Sequence, residues 1–311
     1  MLENHQEHEI NLLDLIRIIK KRWLWITIVS PIVGVLTFFI LTFIPNTYVS
    51  TVMLTKSDSS EQTGSSNKSG LSAVGAIAGF DLGGAKDSNV YVAIEIIKSR
   101  KFAIDFVKKH NLEIELFAIK GWDGENYIVD NSIYDTSQKK WVRDVKPPLT
   151  AIPQDWEIYD AFSELLSIVE DENGFIIITI ENLTPVIVKQ WLEWIVEDIN
   201  SIMKVREQNE LERSINFLQT KLATVELQEI RQIFSSLLEE QTRKLMMTES
   251  RLDFVLEILD PPYEPAVPSK PKRLLIILPA IILSAILTGI IVIIYELNRN
   301  ISSTTTQDDK E

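Results

Sequence analysis

The sequence predicts an α/β fold in a two-span membrane protein. A membrane-proximal α/β periplasmic domain lies between the spans, and a long helical hairpin protrudes from it. Three observations carry this reading. Trp23–Ile44 and Leu274–Tyr295 contain no Asp, Glu, Lys, Arg or His. At about 22 residues, a helix of either stretch reaches ~33 Å, enough to cross a ~30 Å hydrocarbon core. Between the spans, short strand and helix signals are followed from Thr184 onward by a long helical pattern. The resulting order is a cytoplasmic tail (1–22), a first span (23–44), an α/β base (45–183), a long helix with its return helix (184–259), a Pro-rich return (260–273), a second span (274–295) and a second cytoplasmic tail (296–311).

The first span reads as an uncleaved anchor, because its apolar run is longer than a signal-peptide core and no small-residue cleavage motif follows in Ile44–Ser50. Lys20, Lys21 and Arg22 place the N-terminus in the cytoplasm, and two spans return the C-terminus to the same side. Lys270, Lys272 and Arg273 abut the second span on the opposite side, where the rule weakens after so long a loop. In a Gram-negative cell the loop is periplasmic. The formal net charge is −13. The two tails carry 0 and −2, so about −11 falls on the loop and its flanks, which argues against nucleic acid as a partner. Hydrophobic residues make up 45% of the chain, enough for a packed core. No cysteine is present, so packing and assembly must hold the fold without disulfides.

Within the base, Tyr48–Leu54 reads as a strand leaving the membrane, and Ser57–Gly84, rich in small residues, reads as a mobile loop around the apolar Leu71–Phe80. Val90–Lys109 reads as one helix, capped by Asp87 or Ser88. Residues 120–150 hold short irregular elements, and Asp155–Leu166 is a second helix. Ser167–Glu170 and Phe175–Ile180 form a hairpin around Asp171–Gly174.

Thr184 and Pro185 open the long helix as N-cap and first helical residue. Val188, Trp191, Ile195, Ile199 and Ile202 form one apolar stripe, which packs on the base. After a polar interruption at 206–210, Leu211, Ile215, Leu218 and Leu222 make a short heptad seam for hairpin or oligomer packing. The partner is a return helix over Glu226–Val255, with Ile230, Phe234, Leu237, Leu245 and Leu252 on its apolar side, polar gaps at Gln241 and Thr248, and a turn at Ala223-Thr224. One unbroken helix is the alternative, since neither Gly nor Pro occurs between Thr224 and Leu259. Pro261, Pro262, Pro265, Pro268 and Pro271 then exclude helix and favour a stiff extended segment, either a spacer or a docking strip for another membrane protein.

The search for chemistry yields no catalytic constellation, cofactor site or metal site. His5, His8 and His110 have no cysteine and no ligand spacing around them. The stretch Gly79–Lys86 fails as a phosphate loop because Ala85 separates Gly84 from Lys86 and no Ser or Thr follows. Asp171 and Glu172 sit in a turn. Trp122, Trp141 and Trp156 either anchor a small core or stack on sugar rings. In the spans, Ser30 with Gly34 and Ala285 with Gly289 are small residues at four-residue spacing, and Pro31 and Pro279 can bend their helices. These six residues serve either to pack the two spans together or to meet a membrane partner.

The layout resembles the Wzz family of polysaccharide chain-length determinants, also called polysaccharide co-polymerases. The matching pieces are Glu9-Ile10-Asn11-Leu12-Leu13-Asp14-Leu15 leading into a Lys/Trp-flanked span, the Tyr48 strand, Trp141, Thr184-Pro185, Trp191 and Asn200, and the Pro-rich run abutting the second span. The resemblance implies a homo-oligomeric ring in the bacterial inner membrane that acts without catalysis. It implies a Wzy-type polymerase and a lipid-linked glycan as partners, with modal length of O-antigen or a related surface glycan as the output. Alternatives are a two-span periplasmic sensor or a polysaccharide-export scaffold. A tyrosine autokinase would need a cytoplasmic nucleotide-binding domain, and a carbohydrate enzyme would need a catalytic constellation.

Overall fold

The computed structural model describes residues 20–57, 86–250 and 255–308. His5, His8, the Glu9–Leu15 lead, the Leu71–Phe80 run, the Gly79–Ala85 stretch and Leu252 lie outside the described residues. The chain forms two compact units, Thr47–Pro268 and the pair of terminal segments Met1–Asn46 with Ser269–Glu311.

The first unit is built on a four-stranded antiparallel sheet in the order β6 (Leu166–Glu170), β7 (Ile176–Asn182), β1 (Tyr48–Lys56), β8 (Leu256–Asp260). Its centre is β1 (Tyr48–Lys56), paired with β7 (Ile176–Asn182) from Tyr48↔Asn182 to Leu54↔Ile176. Both strands alternate: Ser50, Val52 and Leu54 on one and Ile176, Ile178 and Ile180 on the other are buried. The register places Ser50 beside Ile180, Val52 beside Ile178 and Leu54 beside Ile176, so one sheet face is the core face. β6 (Leu166–Glu170) joins β7 through a turn in which Gly174 takes φ 81°. The Asp171 carboxylate accepts main-chain N–H bonds from Asn173 and Phe175. These bonds, Phe175 first, hold its carboxyl below the ordinary carboxylate range, which makes Asp171 a turn former.

Helices cover the core face. Ser99 splits the single helix expected over Val90–Lys109 into α2 (Lys86–Lys98) and α3 (Arg100–His110). Ser99 is extended, at φ −72° and ψ 147°, and its hydroxyl accepts from Phe102 N at 3.2 Å. An N-cap serine restarts the helix in a new direction, a local competition that apolar spacing does not register. α2 already includes Lys86, so Asp87 and Ser88, the expected caps, lie inside the helix. α4 (Glu113–Phe117), the two small ribbons β2–β3 (Ile119–Trp122, Tyr127–Val129) and β4–β5 (Tyr134–Asp135, Lys140–Trp141), and α5 (Asp155–Leu165) follow. Phe106 of α3 lies 5.4 Å from Phe162 of α5 and 6.3 Å from Trp191 between ring centroids.

Trp191 belongs to α6 (Pro185–Thr224), which Thr184 and Pro185 open as read from the sequence. The cap is a main-chain one, because the buried Thr184 hydroxyl has no hydrogen-bond partner. Ile187, Val188, Trp191, Leu192, Ile195, Val196, Ile199 and Met203 are buried in the core, so the first half of α6 closes the base. α6 ends at Thr224, and α7 (Gln228–Ser250) runs back along it. The helical pair is therefore a hairpin, and the unbroken helix is excluded. Its break falls at 225–227, just after Ala223-Thr224, with Val225 extended at ψ 126°. The return helix does not reach Val255: Leu256–Asp260 is the edge strand β8, paired with β1 from Lys56↔Leu256 to Met53↔Asp260, with a register shift between Met53 and Leu54. The open edge of β1 takes this short apolar run as a strand, and sequence periodicity cannot distinguish the two outcomes.

The second unit is an antiparallel pair, α1 (Trp23–Thr42) with α8 (Arg273–Asp308). Both helices are long and apolar enough to cross a membrane, over Trp23–Thr42 and Arg273–Glu296, and most of their large apolar side chains face outward.

Candidate functional site

Four arrangements hold the residues singled out in the sequence. In the span pair, Ser30 and Gly34 are buried between α1 and α8. A Cβ on Gly34 would lie 2.8 Å from both Cγ1 and Cδ1 of Ile281, so only glycine fits. Across from them Ser284, Gly289 and Val292 are buried and Ala285 is half-buried. Gly289 has more room, its Cβ position being 3.9 Å from Ile26 Cδ1. Pro31 and Pro279 lie on exposed faces. Both ends of the pair are tied. Arg22 Nε and Lys21 Nζ reach Glu296 at 3.1 and 3.4 Å, and Arg273 Nη2 donates to Asn46 Oδ1 at 3.1 Å. Arg22 also lies over the Tyr295 ring, 5.3 Å from its centroid. The Glu296 clasp was missed in the sequence, where this residue reads only as the start of the tail. Its signal was a lone acid directly after an apolar span.

In the hairpin, Leu211 and Leu218 are buried while Ile215 and Leu222 are half-buried. On α7, Leu237, Gln241 and Thr248 are buried, so the two supposed polar gaps lie on the packing face. Ile230, expected on that face, is exposed. Lys204 Nζ donates to Glu249 O at 3.0 Å and ties the two helices there. The interface is polar in layers. Ser214 Oγ is buried without a hydrogen-bond partner, and burial, with Glu210 nearby, pushes the Glu207 carboxyl above its ordinary range against the pull of Lys244 and Arg206. Ile202, Val205 and Phe217 are exposed along α6.

The Pro-rich return does not hang free. Pro262 and Pro265 are buried, and Ser50 Oγ donates to Tyr263 O at 2.7 Å, which fastens the segment to β1. Pro261 and Pro268 are exposed, as are Tyr263 and Val267, and Pro271 is half-buried.

The fourth arrangement surrounds the base of α6. The Asn200 side chain bonds the main chain of Val255 and Leu256. Trp191 Nε1 donates to Glu115 Oε2 at 3.1 Å, and burial raises the Glu115 carboxyl. Asp198, buried, accepts from Lys109 and meets His110 Nε2 at 2.9 Å, while the His110 ring stacks on Trp194 at 4.3 Å. His110 thus serves to fasten α3 to α6. Among the described residues no group of three or more His, Cys, Asp or Glu side chains is placed to hold a metal. The three candidate sugar-stacking tryptophans separate: Trp141 packs against Tyr134 at 5.2 Å and Phe117 at 6.4 Å, Trp122 is half-buried, and Trp156 is 45% exposed.

Residues 8–110 match the family described as Wzz, chain length determinant protein. Among solved structures, the chain is similar to a full-length bacterial polysaccharide co-polymerase at 14% identity, over 93% of this chain and 99% of that one, with a TM-score of 0.40. It is also similar to a fragment of WzzB, a polysaccharide co-polymerase from Salmonella Typhimurium, at 13% identity, over 72% and 100% of the two chains, with a TM-score of 0.30. No curated protein matches.

Proposed function

We propose that the protein is a polysaccharide co-polymerase that sets the modal length of a surface glycan, O-antigen or a related polymer, without catalysing its synthesis. The observation that carries this reading is the chain length determinant match over residues 8–110, which takes in the first span, the strand that follows it and the first base helices. The two apolar helices fit a two-pass protein of the bacterial inner membrane. The Lys20-Lys21-Arg22 cluster supports cytoplasmic termini and a periplasmic central unit. The chain works as a homo-oligomeric ring beside a Wzy-type polymerase and its lipid-linked glycan.

The physical role is retention. A ring that holds polymerase and growing chain together raises their effective concentration and hence the number of additions before release. The small-residue face of the spans, the Pro-rich strip and the Leu211–Leu222 seam are the surfaces on which partner and subunit contacts are proposed. The test is a gel of surface polysaccharide from cells with and without the chain. A clustered ladder that decays smoothly on deletion and returns on re-expression supports chain-length control, and an unchanged ladder overturns it. Removing the hairpin tip, residues 222–229, is expected to shift or abolish the modal length. An unchanged distribution in that variant would sink the role of the hairpin in measuring or retaining the glycan.

A further inference from the structure

We propose that Trp156 is a stacking platform for a pyranose ring of the glycan, an inference that rests on the function proposed above. Of the five tryptophans in the Thr47–Pro268 unit, Trp191 is fully buried, Trp194 is covered by His110, Trp141 is packed in its own aromatic cluster and Trp122 is half-buried. Trp156 alone is exposed, at 45%, and Ile152, four residues earlier in the chain, is 67% exposed. Large apolar side chains at the surface are individually ordinary. What distinguishes Trp156 is how firmly its surroundings are fixed.

Its one polar atom is already satisfied: Nε1 donates to Gln154 Oε1 at 2.9 Å. Gln154 in turn donates through Nε2 to Pro148 O and Thr150 Oγ1, both at 3.4 Å, and its main-chain N–H bonds Glu157 Oε2 at 3.0 Å. Arg143 locks the same knot, gripping Glu157 at 2.7 and 2.8 Å and the Thr150 and Ala151 carbonyls at 2.8 Å each. The indole therefore stands on the first turn of α5 with little freedom left to lose on binding. It offers an aromatic face, and its hydrogen-bonding edge is occupied.

A sugar ring presents an apolar C–H face and a rim of hydroxyls that donate and accept. Beside the indole the rim chemistry is supplied by the Gln154 carboxamide, which holds Nε1, and by the Thr150 hydroxyl next to it. A ring that is apolar on one side and wet at its border suits such a ligand. One stack is weak, but a polymer repeats its ring along the chain, and several subunits repeat the platform, so weak contacts sum.

The test uses the full-length protein in detergent micelles. The probe is polysaccharide released by mild acid from the surface of cells that carry the chain, fractionated by length, with binding read by isothermal titration. Trp156→Ala is expected to weaken binding roughly tenfold or more, and Trp156→Phe to keep most of it. Unchanged melting and oligomeric mass in both variants would exclude misfolding as the cause. Equal binding by wild type and Trp156→Ala overturns the proposal, as does an absence of binding by the wild type. It is also overturned if Trp156→Ala changes oligomeric mass and leaves glycan affinity intact, which would assign the ring to contact between copies. Overturned while deletion of the chain still collapses the ladder, the platform fails and the proposed function stands. A ladder indifferent to deletion removes the function itself.

Discussion

Asn200 holds Leu256 by both of its main-chain polar groups. Its Nδ2 donates to Leu256 O at 2.8 Å, and its Oδ1 accepts from Leu256 N and Val255 N at 3.0 Å each. Both residues are buried. One side-chain amide on α6 thereby does what a neighbouring strand would do, at the point where the returning chain enters the sheet as β8. The buried main-chain groups there must be paired somewhere, and Asn200 pairs three of them.

Replacing Asn200 with Leu keeps similar bulk and removes every one of those bonds. The expected loss is about 3 kcal/mol, the cost of leaving buried main-chain groups without partners. Chemical denaturation of the full chain in detergent checks it. A midpoint within error of wild type would show that β8 needs no such clamp.

The Arg143–Glu157 pair predicts a loss of stability in acid. Hydrogen bonds from Arg143 hold the Glu157 carboxyl below its ordinary range, with burial opposing and the Gln154 N–H assisting. A carboxyl depressed in the fold contributes its stability above the unfolded-state value, here 4.5, and loses it as pH falls through the folded-state value. Arg143→Met is expected to cost about 3 kcal/mol at neutral pH, since it leaves a largely buried carboxylate without its cation and with only the Gln154 N–H as partner. It should also flatten the acid limb of a melting-temperature profile. A variant whose profile parallels wild type below pH 4.5 would show that another carboxylate governs that limb.

The features legible in the sequence are those with local causes. The charge-free spans, the Asp171–Gly174 turn and the Thr184-Pro185 helix start each depend on a few adjacent residues, and the structure contains all three. What could not be read depends on distant partners. β8 is a strand because β1 offers it an edge, and Leu256–Asp260 alone carries no such information. Gln241 and Thr248 count as gaps in an apolar stripe, yet the pairing of α7 with α6 buries both. Glu296 finds Arg22 from 274 residues away. At the candidate surfaces, the residue types of the small-residue face were visible, but the tight approach of Ile281 to Gly34 is a property of two helices together.

Glu207 predicts the opposite pH response in the hairpin. Burial raises its carboxyl first, and Glu210 adds to this, while Lys244 and Arg206 pull the other way. Lys244 also pairs with Glu240 at 3.3 Å. A raised carboxyl binds its proton more readily in the fold than in the unfolded chain, so its contribution declines as pH rises from about 4.5 through the folded-state value. Glu207→Gln is therefore expected to stabilise the hairpin at pH 7, by less than about 1 kcal/mol because the site is partly solvated. Hydrogen exchange of α6 and α7 amides measures it directly. Faster exchange in the variant at pH 7 would mean that the charged form of Glu207 supports the pairing.

Gly34 separates the two roles open to the small-residue face of the spans. An alanine there would bring its Cβ to 2.8 Å from two Ile281 atoms, one of them close to the helix backbone and unable to swing aside cheaply. The helices must part, and overpacking of this kind costs about 1–3 kcal/mol. Gly34→Ala is thus expected to lower the melting temperature of the full chain in detergent, and a second change, Ile281→Ala, to restore much of it. Gly289→Ala, with 3.9 Å to Ile26, should melt like wild type. If Gly34→Ala melts like wild type as well and yet shifts the glycan ladder, the face belongs to a membrane partner. If melting and ladder change together and the Ile281→Ala rescue repairs both, the face packs the protein's own spans and acts on the glycan through them.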